Sequence, residues 1–568
     1  TTYINNLTQH DALPIFEGGM KMSGTFFGFN IARSGLFASQ RALHVTGHNI
    51  ANANTPGFSR QRLEIVQSNP MNMTGGQGML GSGVDTQSIS NIRDQFLDFK
   101  FRGENQAFGE WNARTEVLGT IESIMNEPSD SGIRTAMDEF FSSLQELSTK
   151  PEDLTVRALV RERGIALAKT VNHMGAQLEK LQKDLDFQIK TVVGEINGYA
   201  DQLADLNNQI FKFELGGNKA NDLRDQRNLV LDKLSKHINI DSFEDSQGRM
   251  QVLVQGKQLV SHIKAHHLET KMRLQGAKLN QSDVENLSDV VWADGSSFSV
   301  NGGSLKGFLD MRDGLRENAK GVPYYMEQLN HFSKTFAVQF NMLHRDGHGM
   351  NGAKGIDFFE MDKRQIFDIT SEVRSIMTGP PALSEAEAIK SLERLGGNSL
   401  EAKLGLGINY DSISIVKFTQ NGQQKYYLAP KITATTLKIS SAVDSDLNAI
   451  AASRTFAGLP GDGGNALRLN QLKNDGNMFD WGKPEDFMKS LISNLGVDSQ
   501  QAIRISGNQE LLLDQIDTRR QSASGVSLDE EMSNMVRFQH SYNANARMIT
   551  TIDEMIDVLI NRMGLVGR

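Results

Sequence analysis

The chain has no cysteine among its 568 residues, which removes disulfide frameworks, zinc–thiolate sites and cysteine nucleophiles at once. No apolar run approaches the ~20 residues that a bilayer-spanning helix needs. Positive charge is in deficit: 59 Lys and Arg stand against 68 Asp and Glu, for a net charge of −9. That argues against a nucleic-acid binder, which needs clustered Lys and Arg. One absence is local. From Met22 to Leu63 there is no Asp or Glu, while Arg33, Arg41, Arg60 and Arg62 occur. A solvated helix normally carries both signs of charge. This stretch therefore reads as one that is covered only on assembly and poorly ordered in a free monomer.

What is present is enough apolar material, 39% of the chain, to bury several cores. The length suggests roughly three or four domains. Residues 1–21 read as a non-native leader, with the natural start expected at Met22 or Met20. No charged, apolar and small-residue succession marks a cleavable secretory signal.

The two ends carry matching patterns. Phe29, Leu36, Leu43 and Ile50 recur every seven residues and run into Asn52, Asn54, Pro56 and Gly57. Leu528, Met535, Tyr542, Ile549, Ile556 and Met563 recur with the same period. Such a repeat keeps one seam of a helix facing a partner helix, so these residues are the expected assembly interface. Ser527 and Glu530 have the spacing of a capping box, and Asp529, Glu530 and Glu531 complement the helix dipole.

Between the ends, residues 58–105 read as extended and turn structure and 109–235 as helical. Apolar residues from 167 to 213 recur in steps of four and three, a pattern taken as core. Gly194 and Gly198 weaken that helix and Gly216-Gly217 end it. Short β-type runs fill 238–304. Helix returns over 305–344, and a mixed β segment spans 346–445 with a hairpin signal at Asn421-Gly422 and a short polar helix near 384–395. Helix dominates from 464.

The expected fold is α+β multidomain, with terminal helices paired as a coiled coil, a long-helix bundle stem and nested β-rich outer domains. The expected units are 22–60 with 524–568 for the terminal pair, 61–235 with 305–345 and 446–523 for the stem, and 236–304 with 346–445 for the outer region.

No catalytic constellation stands out, and neither a cofactor nor a metal is expected. Gly76, Gly78 and Gly81 match the dinucleotide fingerprint in spacing, but no strand precedes them and no helix follows. His344 and His348 are spaced like zinc ligands, yet Gly347 and Gly349 break any helix there, so a surface or capping role is expected. His266-His267 has no partner in view. Asp346 and Asp462 lack the alternating oxygen ligands of an EF-hand and read as turn and cap residues.

The segments Phe26-Phe-Gly-Phe-Asn-Ile-Ala-Arg-Ser-Gly-Leu-Phe-Ala-Ser-Gln40 and His48-Asn-Ile-Ala-Asn-Ala-Asn-Thr-Pro-Gly-Phe-Ser-Arg60 resemble the N-terminal signature of the flagellar rod, hook and hook-associated proteins. Arg519-Arg-Gln-Ser-Ala-Ser-Gly-Val-Ser-Leu-Asp-Glu-Glu-Met532 and Phe538-Gln-His-Ser-Tyr-Asn-Ala-Asn-Ala-Arg547 resemble the hook-associated members, as do Asn221-Asp-Leu-Arg-Asp-Gln-Arg227, Gly302-Gly-Ser-Leu-Lys-Gly-Phe-Leu-Asp-Met-Arg312 and Phe340-Asn-Met-Leu-His344. Phe58 stands where many relatives carry Tyr, and 356–440 matches least well. The resemblance implies a non-enzymatic structural protein, exported unfolded and placed outside the cell at the hook–filament junction. It implies contacts with further copies in a ring, with the hook protein, with a second hook–filament junction protein, and with a cytoplasmic export chaperone on the C-terminal helix. A distal-rod or hook subunit is the alternative.

Overall fold

The computed structural model describes residues 27–72, 79–126, 132–274, 277–316, 319–361, 367–379, 382–394, 413–420, 423–430 and 432–562. The leader, Met563, Gly76, Gly78 and the Asn421-Gly422 turn lie outside them. The described chain is mostly helical with small antiparallel sheets attached, an α+β architecture of several cores.

Helix α1, Phe27–Ala51, gives way to a turn in which Gly57 has φ +81. A side chain would be strained there, and its Cβ would stand 3.0 Å from Leu229 Cβ, so glycine is required twice over. Strand β1, Gln61–Gln67, pairs antiparallel with β2, Val84–Asn91.

Helix α2, Gln95–Asn126, begins earlier than the sequence pattern suggests. The extended reading of 58–105 is corrected in its last part, because Asp94 Oδ1 accepts the N–H groups of Phe96 (2.9 Å) and Leu97 (3.3 Å) and caps the helix.

After α3, Ile133–Thr149, comes α4, Leu154–Glu214, with 61 residues. It would reach about 90 Å at 1.5 Å per residue. Its apolar stripe is core, with Leu167, Val171, Leu178, Ile189, Ile196, Leu203 and Ile210 fully buried or nearly so. The helix runs through Gly194 and Gly198, where nothing lies within 4 Å of a Cβ position. Both glycines sit on its open side, and packing on the other side outweighs their propensity cost.

Helix α5, Asn221–His237, and the four-stranded antiparallel sheet β3 (Asp241–Glu244), β4 (Met250–Val254), β5 (Lys257–Ser261) and β6 (Lys264–Ala265) cover the distal half of α4. With the hairpin β7, Leu268–Met272, and β8, Ser288–Trp292, they form one core.

The largest core gathers α3, the proximal half of α4, α6 (Ser304–Asp313), α7 (Val322–Asp346) and later helices around aromatic rings. Phe340 lies 5.4 Å from Phe140 and 5.0 Å from Phe358, centroid to centroid.

Helices α8, Thr370–Thr378, and α9, Glu385–Arg394, pack on a sheet ordered β9 (Phe367–Asp368), β11 (Gln423–Pro430), β10 (Ile413–Gln420) to make a third, small core. The segment expected to form the β-rich outer domain or domains is divided among the cores. Its 236–304 part joins the distal core, 369–426 contributes the small core, and Ile432, Leu437, Ile439 and Val443 return to the largest one. Short apolar runs show that a segment is buried, not which core receives it.

Helices α10, Gly464–Gln471, α11, Pro484–Ser524, and α12, Leu528–Asp557, complete the chain. Buried residues of α11 end at Ser506. Beyond that it runs along α2, and Arg520 stacks 4.1 Å above the Phe101 ring.

Candidate assembly interface

Helices α1 and α12 pack antiparallel along their length. A Cβ on Gly28 would touch Ile552, one on Gly35 would meet Asn545, Ser39 Oγ donates to Ser541 Oγ at 3.0 Å, and Asn49 Nδ2 donates to Glu531 Oε2 at 3.2 Å. The partners march in opposite directions in step, so the register does not slip. The line of closest approach on α1 is Gly28, Gly35, Ser39, Ala42, Thr46 and Asn49, all small or polar, and the last four are buried.

Phe29, Leu36, Leu43 and Ile50 each lie one residue beyond that line and are half-buried. On α12, Met535, Tyr542, Ile549 and Ile556 are likewise half-buried, and Leu528 is exposed. Helical geometry in this antiparallel register places the two sets on the same flank of the pair. The opposite flank is closed by the β1–β2 hairpin, where Val84 N–H donates to Ser34 Oγ at 3.3 Å and Arg41 bonds Thr86. Phe37, Met532, Val536, Met548, Met555 and Ile560 are exposed as well. Asn52, Asn54, Pro56 and Gly57 are not on this flank. They form the turn at the far end of α1, where Asn52 Nδ2 donates to the His48 carbonyl at 3.0 Å.

That turn delivers the chain to a clamp. Arg60 bridges Glu531 at 2.8 Å and Glu530 at 2.7 Å, and its N–H donates to the Ser524 carbonyl at 2.8 Å. Only half of the expected capping box forms: Ser527 Oγ accepts the Glu530 N–H at 3.5 Å, while the Glu530 carboxylate turns to Arg60. Asn49 and Gln61 exchange two hydrogen bonds of 2.9 Å. Ser59 gives both its N–H (2.8 Å) and its hydroxyl (2.6 Å) to Asp225.

Behind this lies Arg93, paired with Asp98 at 2.6 Å and Asp225 at 3.3 Å, and Arg520, paired with Asp232 at 2.6 Å. Burial pushes the Asp225 carboxyl up, against the Ser59 hydrogen bonds and Arg93. Burial also opposes the charge on Arg93, but Asp98, Asp232 and Asp225 outweigh it and raise its pKa. Charges this enclosed hold their partners tightly, because removing one strands the other. Ser59, Arg93, Asp225 and Arg520 were not singled out in sequence, and Glu531 only as a residue complementing the helix dipole. Their only signal was the charge pattern of Asn221–Arg227 beside the N-terminal motif.

The histidine and aspartate candidates resolve as structure. The surface or capping expectation for His344 is corrected: it is fully buried, with Nδ1 donating to the Ile356 carbonyl at 2.7 Å and Nε2 accepting the Ala451 N–H at 2.9 Å. An apolar-sided helix with a polar end-loop gives a histidine two backbone partners, which outweighs its desolvation. His267 meets Asp201 at 2.8 Å. Asp462 accepts the N–H groups of Arg454 (2.7 Å) and Gly464 (2.8 Å), and Asp346 pairs with Arg468 at 2.8 Å.

A body of packed cores whose two chain ends are drawn into one half-covered helical pair is the build of a structural subunit. Comparison with known proteins places it. Residues 118–359 match the flagellar hook-associated protein FlgK helical domain. Residues 29–58 match the flagella basal body rod protein family, and 519–563 the flagellar basal body rod FlgEFG protein C-terminal family. The chain is 32% identical over 570 residues to flagellar hook-associated protein 1 of Bacillus subtilis (strain 168), covering 96% of this chain and 100% of that one. It is 26% identical over 559 residues to the protein of that name in Escherichia coli (strain K12), covering 94% and 99%. The solved flagellar hook junction protein FlgK from Burkholderia pseudomallei shares the fold, with TM-score 0.54 and 16% identity over 75% of this chain and 100% of that chain. The chain belongs to the flagellar hook-associated protein 1 family, structural proteins of the flagellum.

Proposed function

We propose that this chain is the adaptor that joins hook to filament, polymerising through α1 and α12. The observation that carries this reading is the flank on which Phe29, Leu36, Leu43, Ile50, Met535, Tyr542, Ile549 and Ile556 lie half-covered. Covering what remains open of one such side chain is worth about 0.5–1.5 kcal/mol at ~25 cal/mol per Å², so a neighbour laid along the whole flank supplies free energy for incorporation. The pair then behaves as a coiled coil completed by other copies. The hook protein lies on one side and a second junction protein on the other. The body forms a stem around the two larger cores, with the small core of 369–426 and the sheet β3–β6 outward. Matches at the two ends are shared with rod and hook relatives, and the match at 118–359 favours the junction over a distal-rod or hook subunit.

The chain reaches its place outside the cell by flagellar export, and a cytoplasmic chaperone covers α12 beforehand. No enzymatic role is proposed. The test is a chain ending at Ser527. It is expected to keep a folded stem by calorimetry but to leave cells without attached filaments and to lose chaperone binding. Motile cells with attached filaments would overturn the reading.

A further inference from the structure

Between the largest core and the small core of 369–426 lies a groove of about 1160 Å³. Its floor is the α7 face from Met326 to Thr335, about 14 Å long at 1.5 Å per residue. Strand β10 and the start of α9 form one wall, with Ile415, Lys417 and Glu385, and α4 with the 433–435 segment forms the other. Phe479, Trp481 and Phe487 line it as well, and half-buried Trp481 stacks on Phe487 with ring centroids 5.0 Å apart. One turn beyond Thr335, Gln339 ties α7 to β10 and to the aromatic segment by donating to the carbonyls of Lys417 (3.2 Å) and Met478 (3.3 Å). No lining residue belongs to α1 or α12.

Two polar groups on successive turns of α7 face this groove without partners. A buried helical hydroxyl normally turns back to a carbonyl of the preceding turn, as Ser333 does to Leu329 at 2.8 Å. Thr335, only 1% exposed, does not, and its hydroxyl has no partner among the described residues. His331 packs edge-on against Phe479 and tilted on Phe487, and neither ring nitrogen makes a hydrogen bond among the described residues. Burial, then Lys334, keeps that ring neutral, so it offers one donor and one acceptor. The surrounding charges come in both signs, and Lys417 is already held by Glu385 at 2.9 Å and Asp480 at 3.6 Å.

We propose that the groove binds a neutral oligosaccharide, with a sugar ring laid on Trp481 and its hydroxyls paired to His331 and Thr335. The argument is by chemistry. A wholly apolar ligand would leave the buried Thr335 hydroxyl and the His331 nitrogens unpaired, which is costly. An anion would find its cation taken by two carboxylates. A pyranose has an apolar C–H face for an aromatic ring and a rim of hydroxyls that both donate and accept, which suits an apolar pocket carrying a few convergent polar groups. The floor is longer than one ring, so the ligand is a chain of them.

The test is titration of the purified full chain with chitotriose and cellotriose, followed by calorimetry and by fluorescence of its three tryptophans, Trp111, Trp292 and Trp481. Saturable binding of at least one trimer is expected, with a fluorescence change that disappears in Trp481→Phe. Preference for either trimer supports the site and separates an N-acetylated glycan from a plain hexose one. Trp481→Ala should abolish binding. Thr335→Val should bind about tenfold more weakly or worse while melting no lower than the unaltered chain, since it removes an unpaired hydroxyl; a purely structural Thr335 would not produce that combination. Absence of binding by both trimers at millimolar concentration overturns the proposal. So does undiminished binding in Thr335→Val and Trp481→Ala, or equally tight binding of a galacturonate trimer, which is anionic. None of these outcomes touches the adaptor reading, which rests on α1 and α12.

Discussion

Two long helices, α4 and α12, carry the same seven-residue spacing and use it differently. Along α4 the stripe from Leu167 to Leu203 is enclosed by α3, α5, α7 and the sheet β3–β6, all from the same chain. Along α12 only Glu531 and Ile552 are buried, and the heptad residues stay half-covered. Periodicity says which face of a helix needs a neighbour. It does not say whether that neighbour is in the same molecule. The stem is complete by itself, whereas the terminal pair leaves part of its apolar surface for others.

The largest expected effect breaks the comparison on the stem side. Phe340 is fully buried against Phe140 and Phe358. Phe340→Ala should cost about 3–5 kcal/mol and lower the calorimetric melting of the whole stem. Leu43→Asp, on the half-covered flank, should leave that melting almost unchanged yet block incorporation. Equal losses of melting from both would make α1 part of the monomer core and erase the distinction drawn here.

Next in size is the clamp that joins the two regions. Arg60→Met leaves Glu531, only 2% exposed, without its cation. Breaking an enclosed pair this way costs about 3–5 kcal/mol. The loss should appear as faster amide exchange in α1 and α12 while the stem keeps its protection. In the double variant Arg60→Met, Glu531→Leu, much of the protection should return, because no buried charge is stranded.

The elements legible in sequence were those whose signal is local. The seven-residue repeats, the Ser527 cap and the α4 stripe announced themselves within one helix. The seam that joins α1 to α12 did not, because close approach uses Gly28, Gly35, Ser39 and Ala42, residues too small or too polar to mark a large-apolar repeat. Nor did the clamp: Ser59 and Asp225 are 166 residues apart and Arg60 and Glu531 471 apart, so no spacing rule connects them. The start of α2 was hidden by Gly103 and glycine-rich sequence before it, although Asp94 was there to cap it.

Acid should separate the two regions more gently. Burial, then Lys334, holds His331 down at about 3, against an ordinary value of 6.5. It is flanked by Phe479 and Phe487 at 6.0 and 5.8 Å. The folded stem thus keeps this ring neutral while the unfolded chain takes up a proton below pH 6.5. Stability from this source is intact above 6.5 and is lost as pH falls from 6.5 toward 3. At pH 4.5 the loss should be about 1–2 kcal/mol, allowing for its partial exposure. Melting of the stem compared at pH 7.5 and 4.5 should be flatter in His331→Phe, and an unchanged slope would remove His331 as the cause.

The most narrowly confined effect probes the seam itself. Ala42 is 2% exposed and sits where α1 approaches α12 most closely. Ala42→Leu adds three carbons to a contact with no room for them and should cost about 1–3 kcal/mol by overpacking. Because the seam lies outside the three cores, the cost should be confined to it: lower helicity by circular dichroism, faster exchange in α1 and α12, and no change in stem melting. Leu36→Ala, one step round the same helix on the open flank, removes carbons instead of adding them. It should leave the isolated chain unchanged and weaken incorporation alone. A pair of variants so close in sequence, one acting on the monomer and the other only on the assembled structure, would separate the seam that closes within one chain from the flank that closes between copies.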